Sequence, residues 1–182
     1  DKNKYFNDDD ESKGGDFLYV YAPNKDLVDA SNQNEDFNDG SYVIVYRSQG
    51  GRILVPGDAF DSTWEYVISN YKKELEGCEI MLAPHHGRDS NRNWEFLDTL
   101  QPKFSVIGCA DSKDLAYNQW NKRGLEKITQ NQAGNISFYP HSDGIDVYIQ
   151  NESFAESSNL DISKKDSYNH IFYKTVKKDK NY

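Results

Sequence analysis

Hydrophobic and polar positions first fall into a regular pattern at Phe17. Phe17-Leu18-Tyr19-Val20-Tyr21-Ala22 is a β-rich run stopped by Pro23, and the stretch rich in Asn, Asp and Gln that follows reads as a polar loop as far as Gly40. Residues 42–47 and 52–55 form two strands, and the four residues Ser48-Gln49-Gly50-Gly51 between them suit a hairpin. After Asp58 the period becomes helical: Asp61-Ser62-Thr63 offers an N-cap, Glu65 lies in the first turn, and Trp64, Val67, Ile68 and Tyr71 share one face up to about Leu75. Residues 80–83 are a buried strand closed by Pro84. A short helix over 94–100 and an apolar strand over 104–109 follow. The pattern then predicts a helix over 116–130 with Trp120, Leu125 and Ile128 inward, stopped by Gly134. Strands at 136–139 and 145–149 pair across Ser142-Asp143-Gly144, and beyond Asn151 the period fades, leaving His170-Ile171-Phe172-Tyr173 as one further edge strand.

Strands alternating with helices and opened by a hairpin imply an α/β fold, with a mixed sheet and helices packed on at least one face. The chain divides into an acidic flexible arm over 1–15, carrying Asp8-Asp9-Asp10-Glu11, a domain over 16–152, and a tail or edge extension over 153–182. A length of 182 residues suits one domain. With an apolar fraction of only 36% but 13 tyrosines and 9 phenylalanines, much of the core must be aromatic. Trp64, Trp94 and Trp120 belong there more naturally than on a base-stacking platform. No run approaches the roughly 18 apolar residues of a membrane span, and the first residues lack a signal-peptide core, so a soluble cytoplasmic protein without a membrane partner is expected. A net charge of −9 disfavours salt-driven binding to long nucleic acid, though not a local phosphate site. Cys78 and Cys109 each sit in an apolar run and read as buried free thiols.

Two fragments carry candidate chemistry. Asp58 follows Gly57 at the end of a strand, where the backbone is fixed and the carboxylate is exposed; alone it could equally be a turn or N-cap aspartate. His85 and His86 follow the next strand, and their adjacent side chains must diverge, so one can bind a metal while the other meets a carboxylate, a substrate or solvent. A single helix separates the two strands. If both lie in one sheet, the carboxylate and an imidazole emerge at one edge, a combination suited to zinc or manganese. Asp111, Ser112 and Asp114 either line the same edge or cap the next helix. His141 falls at a hairpin turn and His170 in the tail.

In order along the chain, Asn38-Asp39-Gly40-Ser41 with its strand, Ile53-Leu54-Val55-Pro56-Gly57-Asp58, Met81-Leu82-Ala83-Pro84-His85-His86-Gly87-Arg88-Asp89-Ser90 and Pro102 to Ile107 form a set that resembles one family. It is similar to the C-terminal half of the metallo-β-lactamase domain of ComEC-like proteins, the domain attached to bacterial DNA-uptake channels and its free-standing relatives. The resemblance covers about residues 17–150 and implies the αββα sandwich of that family. It also implies a dinuclear site holding two zinc ions, or manganese, with Asp58 as bridging ligand and His85 as terminal ligand, His86 being the alternative. Asp58, His85 and His86 would then be the catalytic residues of a phosphodiesterase or nuclease, and Arg88 and Ser90 would contact substrate. Arg88, where a Ser is common, either meets a phosphate or pairs with Asp89.

The departure that matters is an absent cluster. Family members carry His-x-His-x-Asp-His and a further His ahead of the Gly-Asp strand, whereas this chain's four histidines are His85, His86, His141 and His170. Two firm ligands are fewer than the three a catalytic zinc takes from protein. One expectation is therefore a hydrolase whose N-terminal half is a separate or cleaved segment, without which one face of the sheet is left uncovered. The other is a non-catalytic binding or regulatory module with the same fold.

Overall fold

The computed structural model describes residues 16–179 together with β1 (Asn3–Lys4); apart from β1, the acidic arm lies outside the described residues. A seven-stranded sheet runs in the order β1, β2 (Phe17–Ala22), β3 (Val43–Ser48), β4 (Gly51–Val55), β5 (Ile80–Leu82), β6 (Phe104–Ile107), β7 (Lys127–Thr129). Strands β1 to β4 pair antiparallel and β4 to β7 pair parallel, so the sheet is mixed and the fold is α/β. The β3–β4 hairpin turns on Gln49-Gly50, a tighter connection than the expected four residues.

Alternation along each strand divides its side chains between two cores. Val43, Val45, Leu54, Met81 and Ile107 join one, against Trp64, Val67 and Leu75 of α2 (Asp61–Leu75), Phe96, Leu97 and Leu100 of α3 (Phe96–Leu100), and Trp120 of α4 (Tyr117–Asn121). Trp64 stacks on Phe96 at 4.2 Å between ring centroids, and Trp94 meets Trp120 edge-on at 5.2 Å, so the tryptophans are core residues as expected. Ile53, Ile80, Phe104, Val106 and Ile128 join the second core. Opposite them lies a three-stranded antiparallel sheet of β8 (Ile136–His141), β9 (Gly144–Ile149) and β10 (Ile171–Lys177), contributing Ile145, Val147, Ile149, Ile171 and Val176. The result is three layers: helices, large sheet, small sheet. The expected hairpin and the edge strand near His170 are both present, and the edge strand closes this second layer.

Several expectations need correction. The stretch expected as a polar loop contains α1 (Lys25–Asn34), capped by Asn24, whose side chain accepts from the Leu27 N–H at 2.9 Å. No single helix spans 116–130: α4 ends at Asn121, and β7 and α5 (Gln130–Ala133) occupy the remainder. Gly124, at φ +64°, turns the chain so that Ile128 faces the second core as a strand residue. The tail also contains a sixth helix, α6 (Glu152–Ser157). Helix α2 begins without a side-chain cap from its own segment; Asp39 supplies it, accepting from the Thr63 N–H at 3.1 Å. Cys78 is buried as expected, but Cys109 is exposed, because β6 ends at Ile107 and Cys109 lies in the loop beyond it.

Leu18, Val20 and Ile44 of β2 and β3 are half-buried and belong to neither core. Among the described residues no helix is long and apolar enough to cross a membrane.

Candidate functional site

Because β4, β5 and β6 are parallel, the loops that follow them emerge at one edge of the sheet, where α/β proteins place ligands. Asp58 lies in the first of these loops, His85 and His86 in the second and Gly108 in the third. Direct bonds hold the loops together. The His85 N–H donates to the Gly57 carbonyl at 3.0 Å, the Asp58 N–H donates to Ser41 Oγ at 3.2 Å, and the Gly108 N–H donates to the His86 carbonyl at 3.0 Å. The Asn-x-x-Ser segment before β3 thereby props both the Gly-Asp turn, through Ser41, and the start of α2, through Asp39.

The turn Pro84–Gly87 is strained. His85 (φ 50°, ψ 44°), His86 (φ 60°, ψ 10°) and Gly87 (φ 79°) are consecutive left-handed residues, and for a residue with a Cβ that conformation costs roughly 1–2 kcal/mol. Consecutive strain of this kind persists only where the surroundings enforce it, and it gathers at functional sites. Here Pro84 starts the turn, Gly87 packs under Ile107, and the Ala116 N–H holds the Gly87 carbonyl at 2.9 Å. The two imidazoles diverge as adjacency demands, with centroids 6.4 Å apart and planes at 50°.

Their environments differ. His85 is half-buried, and its Nδ1 faces Ser90 Oγ at 3.0 Å and Arg92 Nη2 at 3.2 Å. Burial lowers its pKa below the ordinary histidine value; Asp58 opposes that shift, and the Arg92 and Arg88 charges add to it. Arg92 is itself only 5% exposed. Its Nη1 donates to the Ala59 carbonyl at 2.7 Å, and its guanidinium carbon lies 5.0 Å from the Phe60 ring centroid and 5.7 Å from that of Trp94. His86 is exposed and its ring has no hydrogen-bond partner among the described residues. It lines a cavity of about 330 Å³ together with Asp58, Val55, Leu82, Val106 and Gly108. Gly108 makes room for it, since a Cβ there would come within 2.9 Å of His86 Nδ1 and 3.1 Å of its Cα.

Asp58 and His86 thus line one cavity, while the neighbouring His85 turns to Ser90 and Arg92. Arg88 is exposed, makes no ion pair with Asp89 among the described residues, and lines a separate open depression with Cys109, Asp111, Ser112 and Asp114. Those three polar residues shape that depression rather than the cavity at Asp58; Ser112–Asp114 is one short 3-10 turn. His141 pairs with Asp146 at 3.3 Å and His170 with Ser137 Oγ at 2.7 Å, both away from the site. Sequence reasoning passed over Arg92. It sits in the polar run Asn91-Arg92-Asn93, where nothing but the flanking Trp94 hints that the residue turns inward.

Asp58 and one imidazole are suitable donors to a divalent transition metal, but among the described residues no three His, Cys, Asp or Glu side chains gather closely enough to hold one alone. Neither a family model nor a curated protein matches the chain.

Proposed function

We propose that this chain is the C-terminal half of a metallo-β-lactamase-type hydrolase domain, contributing Asp58 and one histidine of the His85–His86 pair to a dinuclear metal site that cleaves phosphodiesters. The observation that carries the reading is the junction of Gly57-Asp58 with Pro84-His85-His86-Gly87: adjacent loops after parallel strands, bonded to each other, with the second held in a strained backbone. The reading requires that another segment supply the remaining ligands, since this chain offers Asp58 and one imidazole.

In this reading Asp58 takes the bridging position and Ser90, beside His85, orients the bound group. Exposed Arg88, one loop away, meets a phosphate of an extended substrate. The metal ions, when bound, supply Lewis acidity and a water nucleophile at neutral pH. The chain's own contribution is to hold a carboxylate and an imidazole on rigid strand ends, which lowers the reorganisation needed when charge develops. A non-catalytic module is the second reading, favoured by the Arg92 contact that occupies one nitrogen of His85.

Hydrolysis of a chromogenic phosphodiester by the native protein separates the two. Activity that is abolished by a chelator, restored by zinc or manganese and reduced at least about 100-fold by Asp58→Asn supports the hydrolase. Activity unchanged in Asp58→Asn, or absent from a metal-replete native protein, rejects it.

A further inference from the structure

We propose that the outer edge of β7 is a slot for an extended peptide segment, which adds to the large sheet as a further strand and carries an acidic side chain between two apolar ones. The slot uses none of the residues at Asp58 and the histidine pair, so it stands or falls independently of the hydrolase reading.

Strand β7 pairs with β6 alone and closes the sheet. The register decides which of its backbone groups are left over. The Ser105 N–H donates to the Glu126 carbonyl at 3.0 Å, so Glu126 and Ile128 turn their backbone groups towards β6, and Lys127 and Thr129 turn theirs away from it. Among the described residues the Lys127 N–H and C=O and the Thr129 N–H have no hydrogen-bond partner. Thr129 is only 3% exposed, and a backbone donor shielded to that degree calls for an acceptor. Its side chain does not serve, because Thr129 Oγ1 accepts from the Gln132 N–H at 3.2 Å. A donor and an acceptor on one residue and a donor two residues on form the pattern that a neighbouring strand satisfies from about 4.8 Å away.

The edge is recessed. A groove of about 610 Å³ runs along it, lined by Lys127, Ile128 and Thr129 and by both outer layers of the fold. Tyr117 and Asn121 of α4 form one wall, and Phe154 of α6 and Tyr173 of β10 form the other. The walls differ in character. Lys127, the one charged residue lining the groove among the described residues, lies on the α4 side, where its Nζ donates to Asn121 Oδ1. Burial lowers its pKa, and a carboxylate placed beside it would offset that cost. Phe154 and Tyr173 instead extend the second core, which Ile128 joins. An extended segment turns successive side chains to opposite sides, so two apolar residues at alternate positions meet the aromatic wall while the acidic one between them meets Lys127. Short length and an edge lysine keep sheet edges from indiscriminate pairing; here they select which strand is admitted. Walls on both sides favour a free segment over the edge of a second folded copy.

The test adds a capped peptide, Val-Thr-Val-Asp-Val-Thr-Val, to the 15N-labelled full chain at concentrations up to about 1 mM. The amide signals of Lys127 and Thr129 are expected to shift, and exchange of the Thr129 amide to slow at least about 10-fold, while the Asp58 and His86 signals stay in place. N-methylation of alternate peptide amides distinguishes strand pairing from side-chain contact without altering the protein: methyl groups in one phase should abolish binding, and in the other phase should spare it. Lys127→Glu should weaken the peptide at least about 10-fold, and replacing its aspartate by lysine should restore binding to that variant. The proposal is overturned if Lys127 and Thr129 do not respond, if both N-methylated peptides bind equally, or if sedimentation shows β7 pairing with β7 of a second copy, read as concentration-dependent protection of the Thr129 amide.

Discussion

At the scale of single residues, the chemistry here is set by which groups are shielded from water. Cys78 is buried beneath α2, and desolvation pushes its thiol up to about 12, so almost none of it is thiolate at neutral pH. Cys109 is exposed in the loop after β6. A thiol-reactive probe at pH 7.5 should therefore label one cysteine rapidly in the native protein and both only after denaturation; Cys109→Ser should abolish the rapid phase. Equal labelling of the two would show that Cys78 is not sealed in the core. The same scale shows where sequence reading reaches its limit. That Asp58 and the His85–His86 pair lie in neighbouring loops was legible because both follow apolar strands, whose ends the pattern places. Arg92 and Asp39 were not, because their roles depend on contacts across the fold, to His85 and Ala59 in one case and to the start of α2 in the other.

At the scale of elements, the strands were more legible than the helices. Strands of the large sheet are apolar runs with clear alternation, and a register fixed by two buried faces leaves little ambiguity. Helix α1 buries a single large apolar side chain, Leu27, so it lacks the periodic stripe that would announce it. The segment 116–130 misled for the opposite reason: Leu125 and Ile128 are spaced as a helix would space them, yet Gly124 breaks the helix and β6 recruits the following residues as β7.

The elements are tied together at the far edge of the sheet by Glu79, which is fully buried. Its carboxylate accepts from the Arg52 N–H at 2.8 Å, Lys103 Nζ at 3.0 Å and the Asp179 N–H at 3.1 Å, linking the β3–β4 hairpin, the turn after α3 and the chain beyond β10. Removing the carboxylate leaves buried partners uncompensated. Glu79→Ala should destabilise the protein by about 3–5 kcal/mol in chemical denaturation, with Glu79→Gln losing less because it keeps an acceptor. A loss below about 1 kcal/mol for the alanine variant would mean that solvent or neighbouring groups satisfy those donors.

At the scale of the whole molecule, two cores lie on opposite faces of one sheet, and the loops that carry Asp58, His85 and His86 leave it at one edge. The α/β class and the mixed sheet were readable from the order of elements. The second layer was not, because β10 lies in a segment without regular period and its partner hairpin gives no sign of which sheet it joins. That layer also changes the expectation of an uncovered face. Strands β8, β9 and β10 pack on that face and build the second core with it.

The metal content of the native protein tests most directly whether Asp58 and the histidine pair are part of a metal site. Elemental analysis of protein purified without chelator should give about two zinc or manganese ions per native protein, as a two-metal hydrolase requires, and Asp58→Asn should lose at least one while keeping its fold by circular dichroism. Native protein that carries no transition metal and takes none up, or an Asp58→Asn variant that keeps the full complement, would contradict the account.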